Sequence, residues 1–437
     1  MSGRRKLLCV PCLLACLVAV AAAEDPWLGK QIMPKSESTM LSTSRQFSGS
    51  IFDISWPAVV SRVEGQWLWI SDASGISPSP VSGWVRKDDV VLLDRADAFY
   101  ASALQTASLP TLQWLRGICW ESRGEQALAL REYLAALSQR PELFDAELRS
   151  SRIRSYVPSK DRPWIAGFER ASRRTGAGPR LYYEYAEAHR RQYQDWVDNQ
   201  LPSSSVDGDQ AADQGGGQQA EKLPAPTTPA DETAAAQQAE KDFKRAKELY
   251  ETAMRIAREW PAAQMGNGEL LLAKAKWQEH QSKVNEDRIE NLNAAIACFD
   301  AAILANPKNV DAYRERGDAY RRLHSFTLAK QSAHRACELT DYRQPRSLAT
   351  LASIYADLSN FELAANYANK AGIYASDDIR HEIVEQRNHY VALAAPPETQ
   401  VAQSESKSPR QIEREQAAKK AEMVFPRFVP RPLDAAP

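Results

Sequence analysis

Six histidines, at positions 189, 280, 324, 334, 381 and 389, are the side chains here best suited to moving protons or holding a metal near neutral pH. Their spacing does not help them. None sits in an HExxH pair. His381 and His389 are eight residues apart, more than two helical turns, too far to share one ion. A GxSxG nucleophile turn, a phosphate-binding P-loop and a GxGxxG fingerprint are all absent. The glycine-rich QGGGQQ at 214–219 has no strand before it and no helix start after it. Carboxylates are plentiful but alternate with Lys and Arg, the pattern of solvated helix faces. The expectation is a chain with no catalytic residue, no metal and no cofactor. A hydrolase or enzyme accessory assembled from distant residues is the alternative, and clustered His and carboxylates in a pocket would mark it.

Cysteine adds little chemistry. Cys119, Cys298 and Cys337 are far apart and odd in number, and lie in apolar helical patterns, so they read as small buried hydrophobes. Cys9, Cys12 and Cys16 belong to a different segment. Arg4, Arg5 and Lys6 precede the apolar run LLCVPCLLACLVAVAAA, which ends just before Glu24. That is the pattern of a secretory signal peptide, residues 1–23, cleaved after Ala23. A retained anchor and a lipoprotein processed at Cys16 are the other readings of the same run. The chain is therefore expected to be exported, periplasmic or envelope-associated, with no transmembrane span once processed. Its formal charge is −1 with 25% charged residues, so it carries no basic excess for a nucleic-acid partner.

The elements that carry these residues repeat. Within 109–142, Gly117 is followed at +3 by Trp120, at +12 by Ala129, at +16 by Tyr133, at +19 by Ala136 and at +24 by Pro141. Within 308–341, Gly317 is followed by Tyr320, Ala329, Ala333 and Ala336 at the same first four spacings. Within 345–378, Ala352 leads Tyr355, Ala364, Ala368 and Ala371. A small residue and an aromatic share one face of a first helix. Alanines four and three apart line one face of a second. Such a hairpin cannot bury its apolar face alone, so copies must stack. The pattern resembles the tetratricopeptide repeat (TPR), and the 35-residue step from Gly317 to Ala352 is close to that family's period of about 34. Weaker copies use Trp164, Phe168 and Ala171 in 144–176, a first helix at 268–281 with Ala295, Phe299 and Ala302 after it, and a helix at 180–198 paired with Ala246, Tyr250 and Ala253. That last pair is split by the Gly, Pro, Ser and Gln-rich residues 199–233, which read as a disordered linker. A helix at 94–106 echoes the same spacing and could cap the array.

Residues 24–93 read as a small all-β module. Its Gly-x-Trp at 65–67 and Gly-Trp-Val at 83–85 resemble a bacterial SH3-like domain. Strand alternation puts Trp67 and Trp69 on one face and Leu68 and Ile70 on the other, and the resemblance implies that Leu68, Ile70 and Val85 are core. The resemblance puts Trp67 at the groove that takes proline-rich ligands in the eukaryotic family. Arg86 and Asp89 stand where that family has Pro and Tyr, which argues against such a ligand. Trp67 then either meets a partner, such as a peptide or the peptidoglycan stem, or packs on the helix at 94–106.

The fold expected is mainly α, a TPR-type helical solenoid preceded by a small all-β SH3-like barrel. The order is signal 1–23, β module 24–93, hairpins 94–198, linker 199–233, hairpins 234–393, and a disordered tail 394–437. A charged helix at 409–422 and an apolar Phe425, Phe428, Val429 cluster lie in that tail. The TPR resemblance implies a protein or peptide partner on a concave surface lined by first helices. Arg314, Asp318 and Arg321 project there at helical spacing from Gly317 and Tyr320 and are the candidate contacts. The other reading of Arg314 and Arg321 is as ordinary surface arginines in i,i+4-type pairs along their own helix. The function expected is a non-enzymatic scaffold or adaptor of the bacterial envelope; the alternative is a peptidoglycan-binding protein acting through the SH3-like module.

Overall fold

The computed structural model describes residues 25–42, 47–50, 56–72, 82–106, 109–157, 159, 161–174, 178–200, 229–281 and 286–395. The signal-like segment, most of the stretch read as a linker at 199–233, and the tail from 396 onward, where a helix is expected at 409–422, lie outside them. The described residues fall into two compact units, one of 25–200 with 229–270 and one of 271–395. They are mainly α, with helix pairs following an antiparallel sheet in the sequence.

The sheet opens the first unit. Its strands are β1 Gln31–Pro34, β2 Met40–Ser42, β3 Phe47–Ser50, β4 Ala58–Glu64, β5 Trp67–Asp72, β6 Ser82–Arg86 and β7 Val90–Leu92. Their order is β3-β2-β6-β5-β4-β1-β7, with each neighbour antiparallel. The edge strands β3 and β7 are not paired with each other among the described residues, so the sheet is open here. Gly65, at φ +59, makes the tight turn that sets Glu64 opposite Trp67. Alternation sorts β5 as the sequence predicts: Leu68 and Ile70 are buried, and Trp67 and Trp69 are half-buried on the other face.

The sheet does not close its own core. Ile32, Met33, Leu68, Ile70 and Val85 form one buried cluster with residues of the first helices, α1 Leu93–Thr106, α2 Pro110–Ser122 and α3 Gln126–Gln139. Helix α1 lies against β1 and β7, where the Tyr100 hydroxyl donates to the Pro34 carbonyl at 2.5 Å. Arg140 reaches back to Glu37 at 2.9 Å.

Helix pairs follow: α2 with α3, then α4 Phe144–Ser155 with α5 Pro163–Ser172, then α6 Pro179–Gln200 with α7 Pro229–Ile256. The pair split by the 201–228 insert thus forms, and α7 begins at Pro229, inside the stretch read as linker. Helix α8 Pro261–His280 carries residues of both units. The second unit adds α9 Glu286–Ala305, α10 Val310–Arg322 with α11 Phe326–Leu339, α12 Pro345–Asp357 with α13 Phe361–Tyr374, and α14 Asp377–Ala394.

The small-residue spacing explains the pairing. Gly117, Ala129, Tyr133 and Ala136 are buried, as are Gly317, Ala329, Ala333 and Ala336, and Ala352, Ala364, Ala368 and Ala371. Trp120, Tyr320 and Tyr355 are half-buried at the hairpin edge, and Pro141 is exposed just past α3. A Cβ at Gly117 would stand 2.5 Å from the Tyr133 ring, so only glycine fits opposite tyrosine at +16. At Gly317, opposite Ala333, the nearest atom to such a Cβ is 3.3 Å away.

The hairpin turn also repeats. Gly124, His324 and Ser359 have φ of +81, +57 and +60, each seven residues after the small residue of its copy. The next amide donates to the carbonyl of the half-buried aromatic at 2.9 Å in all three: Glu125 to Trp120, Ser325 to Tyr320, Asn360 to Tyr355. This six-to-one bond with a left-handed residue is a helix C-cap of the Schellman kind.

Candidate functional site

The predicted contacts on α10 lie on one helix but do different things. Asp318 and Arg321 are brought together. Arg321 donates through Nε to Asp318 Oδ1 at 2.9 Å and pairs with Asp357 of α12 at 3.1 Å. Asp318 also meets Arg322 at 3.1 Å and Lys276 of α8 at 3.6 Å. Arg314 stands apart from them, one turn earlier, paired with Glu315 at 2.7 Å and Asp311 at 3.5 Å. Arg314 and Asp318 are buried; Arg321 is half-buried. Burial raises the Asp318 carboxyl, but Arg322, Arg321 and Lys276 outweigh it and hold the group well below the usual carboxylate range. Asp318 and Arg321 therefore pair along the helix and inside a cross-helix network, Arg314 pairs along its own helix, and Arg314 and Asp318 are buried where a surface position is expected.

The first unit carries a longer version of the same device. Glu121 at the end of α2 accepts from the Tyr133 hydroxyl at 2.6 Å and from Arg149 of α4 at 2.9 Å, and it pairs with Arg152. Asp145 accepts from Arg149 at 2.5 Å and from the Trp114 indole at 2.9 Å, and pairs with Arg180 of α6 at 3.3 Å. Arg152 reaches Glu184 of α6 at 2.9 Å. Further along α6, Arg190 bridges Glu187 at 2.8 Å and Glu269 of α8 at 3.2 Å, while Glu187 accepts from the Tyr250 hydroxyl. Burial alone would raise Glu121 and Asp145. Arg152 and Arg149 hold Glu121 at about 2, and Arg149 and Arg180 hold Asp145 at about 2. The network joins successive first helices through paired charges.

These charges correct the reading of carboxylates and arginines as solvated faces: Glu147, Arg149 and Glu184 are all buried. The available signal was α4 itself. Its sequence FDAELRSSRIRS has few apolar residues, yet α4 packs against helices on several sides and buries most of its length.

Another buried joint ties the split pair together. His189 of α6 shares a 2.7 Å hydrogen bond through Nδ1 with Asp242 of α7, and Arg162 before α5 also holds Asp242, at 2.7 Å. The His189 ring packs edge-on to Trp164 at 4.9 Å and tilts over Tyr185 at 5.1 Å. Among the described residues its Nε2 has no hydrogen-bond partner. Burial pushes the imidazole below its ordinary pKa, with Asp242 pulling the other way and Arg162 and Arg245 adding to the depression. His381 and His389 are exposed on α14. Among the described residues no group of three or more His, Cys, Asp or Glu is placed to hold a metal. Cys119 and Cys337 are buried thiols pushed up to about 12 by burial, and Cys298 is half-buried.

On the sheet, Trp69 meets Trp84 edge-to-face at 5.2 Å, and Trp67 stands opposite Arg86 and Glu64 in register. A half-exposed aromatic strip thus runs along β5, flanked by charge.

No family model and no curated protein matches the sequence. Solved structures do show similarity. The APC/C hetero-tetramer Cut9–Hcn1 is 12% identical over 68% of this chain, with a TM-score of 0.45, and the match spans 46% of that chain. PilW, described as a type IV pilus biogenesis factor, is 14% identical over 62% of this chain and 97% of its own, with a TM-score of 0.39. A thermophilic TPR protein of Thermus thermophilus is 15% identical over 65% of this chain and 98% of its own, with a TM-score of 0.33. Among the described residues no helix is long and apolar enough to cross a membrane.

Proposed function

We propose that this chain is a non-enzymatic scaffold that docks a protein partner on the first-helix face of its helix pairs, after export to the bacterial envelope. The observation that carries this is the network on that face. Arg321, the least buried of the candidate contacts, bridges Asp318 of its own helix and Asp357 of the next. Its charge is already compensated, so a partner is held by shape and shared hydrogen bonds on a rigid face. The export reading rests on Arg4–Lys6 and the apolar run to Ala23.

A second reading gives recognition to the front module. Its hairpin β2–β3 between β1 and β4, and a 3-10 turn at Lys87–Asp89 just before β7, support an SH3-like barrel. The Trp67–Trp69 strip supports a peptidoglycan ligand there. Because the sheet shares its core with α1–α3, point substitutions test the two readings better than deletions. Tagged chain is used for affinity capture from solubilised envelope, with proteins and muropeptides identified by mass spectrometry. Loss of a saturable protein partner in Arg321→Glu, with retention in Trp67→Ala, supports the scaffold. Muropeptide retention that vanishes in Trp67→Ala supports the second reading. Capture that neither substitution alters sinks both.

A further inference from the structure

Within the contact between α6 and α7 stands a histidine that uses only one of its ring nitrogens. His189 is 5% exposed and its partner Asp242 is 1% exposed. Nδ1 of His189 and the Arg162 guanidinium share one carboxylate oxygen of Asp242, each at 2.7 Å. The Asp242 carboxyl is raised by burial but lowered more by His189 and Arg162, so it is ionised. An ionised carboxylate only accepts, so Nδ1 carries the proton and neutral His189 presents a bare Nε2. That Nε2 is buried and has no hydrogen-bond partner among the described residues. Aromatic rings surround the imidazole: Trp164 edge-on and Tyr185 tilted over it. A bare ring nitrogen costs less in such a place than a cationic N–H with no acceptor.

We propose that His189 is an acid-operated latch: a proton arriving at its Nε2 opens the α6–α7 joint locally, while α2 and α3 stay folded. The charges around the ring favour this. Helix α7 presents Asp242 and Arg245, the latter over the Tyr185 ring at 5.5 Å. The turn before α5 presents Arg162, and α5 itself carries Glu169, which is exposed. On the α4 side Arg152 is engaged with Glu184 at 2.9 Å, and toward α8 Arg190 is engaged with Glu187 and Glu269. Among the described residues Asp242 is the one carboxylate bonded to the ring, and Arg162 already claims it. An imidazolium there meets Arg162 and Arg245 as further cations. Burial, with those two arginines, holds the imidazole below its ordinary 6.5 against the pull of Asp242. The open form, with water at Nε2, keeps the ordinary value, so it binds the proton first and opening is favoured as pH falls below about 6.5. The buried cluster that joins the sheet to α1–α4 contains no residue of α6 or α7, so the joint has packing of its own to lose. The latch does not depend on which partner the chain docks.

The test is amide hydrogen exchange on the full chain at about pH 7.5 and about pH 5.5, with each rate divided by its intrinsic value, in peptides covering 182–197, 238–254 and 112–138. A latch predicts protection falling by about threefold or more at the lower pH in the first two peptides and unchanged protection in the third. His189→Gln keeps a donor toward Asp242 and has no proton to take up, so its protection should be the same at both pH values. Should that variant not fold, the imidazole nitrogen resonances of the wild type give a second readout. They should show His189 as the Nδ1–H tautomer at the higher pH, titrating below its ordinary value in step with the fall in protection. Equal protection of α6 and α7 at both pH values overturns the proposal. So does a fall shared equally by 112–138, which is unfolding of the whole unit, and so does a fall that persists in His189→Gln, which assigns it to another group.

Discussion

At the scale of single residues, two glycines in equivalent places differ in what they tolerate. Gly117 faces the Tyr133 ring with no room for a methyl group, and Gly317 faces Ala333 with nearly enough. Gly117→Ala should cost about 1–3 kcal/mol through overpacking, while Gly317→Ala should be within about 1 kcal/mol of neutral because alanine also favours the helix. Urea unfolding of the two variants checks the contrast. Arg149 makes a second prediction. It is buried between Glu121 and Asp145, and Arg149→Met leaves both carboxylates without that partner, a loss of about 3–5 kcal/mol by the same measurement. The glycine–aromatic–alanine spacing was legible in the sequence because its partners lie within one hairpin. The arginine network was not, since Glu121 finds Arg149 and Arg152 on another pair, and a buried charge reads like a solvated one until its partner is placed. For the same reason Asp318 and Arg321 were found on one face of α10 with Arg314 but not as members of a network.

At the scale of elements, the hairpin turn carries a small strain. His324 and Ser359 occupy the left-handed position that Gly124 fills without cost. His324→Gly and Ser359→Gly should each stabilise by about 0.5–1 kcal/mol, whereas Gly124→Ala should cost about 1 kcal/mol, read as shifts in the denaturation midpoint. Sequence periodicity located these helices well, including the degenerate pair around Trp164 and Phe168, because the aromatic side chains that fill each hairpin are few and regularly placed. It was less able to see that the β module leans on α1–α3 for its core. Ile32 and Met33 look the same in a sequence whether strand or helix covers them.

At the scale of the whole molecule, acid should act in two stages. His189 has a folded-state pKa below its ordinary 6.5, so the unfolded chain binds its proton first. Stability from this group is complete above about 6.5 and declines as pH falls below it. Glu121 and Asp145 have depressed values, so their contribution is present above about 4.5 and is lost as pH falls toward 2. The expected result is a first loss of urea resistance as pH falls through about 6.5. His189→Gln should flatten that slope, while His334→Gln reports the share of the half-buried His334, whose pKa burial also lowers. An unchanged slope in His189→Gln would remove His189 from the account.

The split pair has one more consequence. Helices α6 and α7 meet through His189 and Asp242, Glu187 and Tyr250, and Tyr193 and Phe243, none of which depends on the peptide between them. A protease cut anywhere from 201 to 228 would sever the covalent chain yet leave that interface whole. The product would be two polypeptides that copurify as one particle, and separately expressed halves ending and starting in that insert would be expected to find each other and fold together.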